Sequence, residues 1–157
     1  MNIFYLDKCP VKAAKYQYNK HVVKMVLESA QMLCTAHYHY DENAVVPYKK
    51  THYNHPSTIW TRSDRYNYMW LYDHMIALGD EYTKRYSKKH LSITKCWWPL
   101  SRIPRGIPEK GFTQPPQAMP DEYKDKCSIK AYWNYYISDK HHIAHESEKI
   151  YKYRPNE

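Results

Sequence analysis

The chain has 157 residues, a length suited to one domain with a real core, and it carries a formal charge of +8 and an isoelectric point near 9.2. Its three glycines leave no phosphate-cradling loop, no apolar run approaches membrane-spanning length, and Cys9, Cys34, Cys96 and Cys127 lack the close spacing of a zinc knuckle or redox dithiol. What remains is a basic, tyrosine-rich protein of the kind that meets a polyanion, most often nucleic acid, with no membrane contact and no cofactor expected.

Asn2 to Leu6 reads as a short apolar lead-in laid against the core, too short for a signal peptide, which points to reduced thiols in a cytoplasm. Asp7 is the expected N-cap of a first helix, with Pro10 in its first turn, running to about His37 or Tyr40. Within it the stretch NKHVVKMVLESAQ, Asn19 to Gln31, says most. Val22, Met25, Val26, Ser29 and Leu33 recur at helical spacing toward a core. Lys20, Lys24 and Glu28 stack at intervals of four on another face, with His21 seven residues before Glu28. An amine, an imidazole and a carboxylate on one patch can do acid–base or imine chemistry. The same spacing also fits a solvated face with an i,i+4 ion pair contributing only about 0.3–0.5 kcal/mol.

Residues 41–56 read as a loop punctuated by Pro47 and Pro56. In THYNHPSTIWTRS, His55 and Pro56 stand just before a helix start, where free N–H groups can hold a phosphate and Arg62 and Arg65 can add charge. The other reading is a rigid turn with Trp60 as a core anchor. A second helix starting between Ser57 and Ser63 follows, with a stripe of Tyr68, Leu71, Tyr72, Met75, Leu78, Tyr82 and Tyr86, ending near Lys89. Lys84, Arg85, Lys88, Lys89 and Lys95 crowd its end.

Residues 96–123 form a long proline-rich loop with Trp97, Trp98 and Phe112, expected to wrap in order over the helices, and with Arg102, Arg105 and Lys110 along it. A third helix is predicted from Ser128 to about Glu148, with Ile129, Trp133, Tyr136 and Ile143 facing inward. His141 and His145, with His142 and Glu146 beside them, are one turn apart but lack the HExxH pattern, so no metal site is expected. The whole reads as an all-α single compact domain of about three main helices with long aromatic and proline-rich loops.

The order of these features resembles that of the bacteriophage pyrimidine-dimer DNA glycosylases of the endonuclease V type. His21 and Glu28 keep the spacing of the His and catalytic Glu on that family's first helix. NHPSTIW through EYTKRYSKKH resembles its second block, MPDEYK a short Pro–acidic–aromatic–basic stretch, and YWNYY its aromatic C-terminal segment. The resemblance covers most of the chain in short matches. It implies an all-α monomer that removes damaged pyrimidines from DNA and nicks the strand through an imine, with Glu28 as the catalytic carboxylate and His21 beside it. The family's nucleophile is the α-amine of a small residue exposed after loss of the initiator Met. Asn2 is bulky, so Met1 is expected to stay and supply the amine, with Lys24 as its competitor. α-Amines as a class titrate well below lysine side chains, which favours the terminus. Leu27 and Gln31 stand where the family places arginines beside its Glu, so Lys20 and Lys24 are expected to take over phosphate contact. The remaining nucleic-acid contacts are assigned to His55, Arg62, Arg65, Lys88, Lys89, Arg102 and Arg105. Two rivals stay open: a non-catalytic nucleic-acid or protein-binding viral accessory module, and a small enzyme acting on free nucleotides.

Overall fold

The structure, a computed structural model, describes residues 1–143. The described residues form helices and loops with no strand, so the protein is all-α. The helices are α1 (Pro10–Lys15), α2 (Asn19–Tyr40), α3 (Pro56–Ser63), α4 (Arg65–Tyr86), α5 (Leu91–Cys96) and α6 (Ser128–Ser138). Short 3-10 turns occupy Pro99–Ser101, Asp121–Tyr123 and His141–Ile143.

The long helices α2 and α4 pack against each other. They run antiparallel: His37 Nε2 meets the Tyr68 hydroxyl at 2.8 Å near one end, and Arg85 Nη1 donates to Asn19 Oδ1 at 3.0 Å near the other. Between and around them lie fully buried Leu33, Leu71, Met75 and Leu78 together with Tyr18, Tyr68, Tyr132 and Tyr136. Buried tyrosines need partners for their hydroxyls. Tyr68 donates to the Leu100 carbonyl at 2.7 Å and Tyr132 to the Pro116 carbonyl at 2.6 Å, so the core also fastens the proline-rich segment.

The expected first helix is two. Tyr18 is extended (φ −62, ψ 153), and its N–H donates to the Tyr136 hydroxyl at 2.8 Å instead of to a helix carbonyl. Arg85 collects the carbonyls that the break exposes, Gln17 at 2.7 Å and Lys15 at 3.1 Å. Asp7 is not the N-cap; Cys9 holds that position, and Asp7 Oδ1 accepts the Cys9 N–H at 2.8 Å.

The expected second helix is also divided, at Asp64 (φ −158, ψ 147). Asp64 Oδ1 accepts the Tyr66 N–H at 2.8 Å and so caps α4, while Oδ2 accepts the N–H groups of Lys110 at 2.6 Å and Gly111 at 3.0 Å. The helix stops at Tyr86, three residues short of Lys89, where Ser87 turns left-handed at φ 58. α5, capped by His90 Nδ1 on the Ser92 N–H at 3.1 Å, has no counterpart in the sequence reading. The third helix ends at Ser138 rather than near Glu148. The expected His145 and Glu146 and the aromatic, basic tail lie outside the described residues.

Candidate functional site

The site is made where the lead-in meets α2. Ile3, Phe4, Tyr5 and Leu6 are all buried, and the Trp133 indole N–H donates to the Leu6 carbonyl at 2.8 Å, so this segment is fixed. Asn2 folds over the next peptides: Oδ1 accepts the N–H of Ile3 at 2.7 Å and of Phe4 at 3.1 Å. Its Nδ2 donates to the Ala118 carbonyl at 3.0 Å, which ties the lead-in to the proline-rich segment. Phe4 itself is left-handed at φ 56, a bend that lets its ring face α2.

This path brings the Met1 α-amine to 3.4 Å from Glu28 Oε1. The Met1 side chain is 2 % exposed, yet the residue as a whole is only half-buried, so what it shows to solvent is its main chain. Glu28 sits on the inward side of α2. Its Oε2 is buried without a hydrogen bond among the described residues, with Lys24 Nζ at 3.7 Å. Lys24 is itself 71 % exposed, so its pairing with Glu28 is the loose, solvent-screened kind. The carboxylate thus has one oxygen on an amine and one in reserve.

His21 belongs to the support of this patch. Its ring stacks on Phe4 and its Nδ1 meets the Tyr136 hydroxyl at 2.7 Å. The same Tyr136 oxygen accepts the Tyr18 N–H, so one hydroxyl ties the start of α2 to the His21 ring. Burial, with Lys140 and Lys24 nearby, pushes the imidazole down to about 3, so it is neutral at physiological pH. His55 caps α3, its Nδ1 accepting the Ser57 N–H at 3.1 Å. Burial first, then the Met1 α-ammonium and His52, hold His55 below its ordinary pKa, and Glu28 opposes them. His55 and His52 therefore share the electrostatic neighbourhood of the Met1–Glu28 pair.

The structure brings together Met1, Glu28 and Lys24, with His21 behind them and His55 beside them. Lys20 stays on the Lys24–Glu28 stripe two turns before Glu28, but Arg62, Arg65, Lys88, Lys89 and Arg102 are not gathered there. Arg62, expected to reach a phosphate, is buried: it lies 3.9 Å over the Tyr53 ring and donates to the Tyr53 carbonyl at 2.7 Å. Arg65 is half-buried and paired with Glu109 at 3.4 Å. Lys20, Lys88, Lys89, Arg102 and Arg105 are exposed. Arg102 lines a hollow with His37 and Trp98. His37 is nine residues beyond Glu28 on α2 and so about 180° around the helix axis. Lys88 and Lys89 precede His90, whose Nε2 meets the Val23 carbonyl at 2.9 Å, again away from the Glu28 face. The basic charge is spread around the molecule.

Asn2, Phe4 and Lys140 are site residues that sequence reasoning missed. An Asn ahead of an apolar run is a local turn signal of the kind Asn2 makes. The other two are placed by tertiary contacts and left no signal in the sequence.

No protein-family model, curated protein or solved structure matches the chain. Among the described residues, no helix is long and apolar enough to cross a membrane.

Proposed function

We propose that this chain is a DNA N-glycosylase that acts on damaged pyrimidine nucleotides and nicks the strand through an imine. The observation that carries the reading is the Met1 α-amine held 3.4 Å from Glu28 Oε1, with the main chain of Met1 as its accessible part. An amine beside a carboxylate is the pair such chemistry needs. The neutral amine attacks C1′ of the deoxyribose; the N–C1′ bond forms as the glycosidic bond breaks, and the base leaves with the bonding pair and takes up a proton. Ring opening gives the imine. Loss of a C2′ proton, for which Glu28 is the acceptor, then breaks the C3′–O bond and releases the 3′ phosphate. A net charge of +8 favours the polyanion, and damaged pairs open at lower cost than intact ones.

The test uses the full chain with labelled duplexes that are ultraviolet-damaged, abasic or intact, with and without borohydride. The reading expects cleavage of damaged strands and a trapped adduct that maps to Met1. An adduct on Lys24 reassigns the nucleophile. Binding without product replaces the enzyme with a binding module, and turnover of free nucleotides alone replaces the substrate.

A further inference from the structure

A second feature lies on α4 and owes nothing to the Met1–Glu28 pair. Met69, Tyr72, Asp73, Ile76, Ala77 and Asp80 fall on one face of that helix, within about 140° at 100° per residue. Along this face runs a groove. At one end is a hollow of about 450 Å³ walled by Pro10 and Val11 of α1 and by Trp97. A smaller one of about 140 Å³, walled by Ser101 and Ile103, continues it, and the two share Tyr72 and Asp73. The wall is fixed, because the Tyr72 hydroxyl donates to the Trp97 carbonyl at 2.5 Å. Large apolar side chains stand open to water along it: Val11 is 47 %, Met69 39 % and Trp97 51 % exposed. The carboxylates lining the groove are Asp73 and Asp80, and no lysine, arginine or histidine lines it. In a chain of net charge +8 this is a local reversal of sign. Burial pushes the Asp73 carboxyl above its ordinary pKa, with no neighbouring cation offsetting the rise.

We propose that this groove docks a basic amphipathic segment of another protein, a helix whose apolar face covers Val11, Ile76 and Trp97 while two of its cations meet Asp73 and Asp80. Apolar helix faces dock into grooves of this kind through anchors one and two turns apart. The two carboxylates are seven residues apart on α4, about 10 Å, which matches cations seven residues apart on a partner helix. The apolar walls supply affinity, and the acid pair selects the sign of the partner.

The probes are two synthetic 15-residue helix-forming peptides with the same leucine face, one with Lys at two positions seven apart and one with Glu there. Binding to the full chain is read by the fluorescence of the exposed Trp97 and by calorimetry. The Lys peptide should bind at least about tenfold more tightly than the Glu peptide. Asp73→Lys with Asp80→Lys, both at exposed positions, should invert that order while leaving the melting temperature within a few degrees. The inversion is the readout a merely sticky surface would not give. Equal binding of the two peptides, no saturable binding of either, or an order unchanged by the double reversal overturns the proposal. So does a dimer in sedimentation that the double reversal dissolves, which would assign the groove to a second copy.

Discussion

Phe4 lies flat on His21, with ring centroids 4.2 Å apart and planes 15° from parallel. The pair joins the lead-in to α2 two turns before Glu28, and it explains an unusual backbone. Phe4 holds φ 56, a conformation costing about 1–2 kcal/mol for a residue with a side chain. The stack, the burial of the ring and the neighbouring Tyr136 contact offset that cost. His21 therefore acts on the candidate site through Phe4: it sets where the lead-in runs, and so where the Met1 amine arrives.

Glu28→Gln should fold as the parent does and lose turnover by about 10²–10⁴-fold. The substitution keeps the size of the side chain and removes the charge that faces the amine at 3.4 Å. Melting temperature and strand cleavage measured side by side decide it. Full turnover in a folded variant would remove Glu28 from the chemistry.

Asn2→Ala should loosen the terminus without touching the carboxylate. It removes two hydrogen bonds to the peptides of Ile3 and Phe4 and one to Ala118. The expected loss is about 1–3 kcal/mol of stability and about tenfold in borohydride-trapped adduct, with binding of intact duplex unchanged. Trapping equal to the parent's would mean that the amine does not need this anchor.

Duplex binding should weaken steeply as salt rises, because lysines and arginines release counterions from phosphates. Lys20→Ala with Lys24→Ala, both exposed, should shallow the log–log slope by about 1–2 and lower affinity for all sequences alike. A flat titration from low to physiological salt contradicts polyanion binding.

Acid should destabilise the fold before it protonates most carboxylates. Burial pushes His21 down to about 3 and His74 down to about 4 from an ordinary 6.5. Between those limits the unfolded chain binds protons that the folded chain refuses, so stability falls as pH drops below 6.5. Each histidine adds up to about 1.4 kcal/mol per pH unit to that slope. His21→Asn, whose side-chain amide can donate to Tyr136 or accept from it, should flatten the slope of melting temperature between pH 6.5 and 4. An unchanged slope would show that His21 charges in the folded state.

The stripe of Lys20, Lys24 and Glu28 was legible because helical periodicity is local and α2 keeps it. The breaks were not. The one at Tyr18 depends on Tyr136, 118 residues away in sequence, and on Arg85 from the far end of α4. α5 is six residues long, too short for a hydrophobic period to announce it. The lead-in was expected against the core and is there, but its left turn at Phe4 answers to packing rather than to propensity. Arg62 looked like free charge because a sequence shows sign and not depth. Its place beneath Tyr53 is set by the fold of the 41–56 loop.

Asp64 holds the start of α4 with one oxygen and the peptides of Lys110 and Gly111 with the other. Asn67 repeats the arrangement one turn on, its Oδ1 accepting the Thr113 N–H at 3.0 Å. The proline-rich segment is thus bolted to the helical frame at its middle, and Tyr132 and Gln117 fasten it further along. Such a surface is a template rather than a clasp. Under the proposed function the bending and unstacking on recognition fall to the duplex, and selectivity becomes a matter of which sequences and lesions yield most easily.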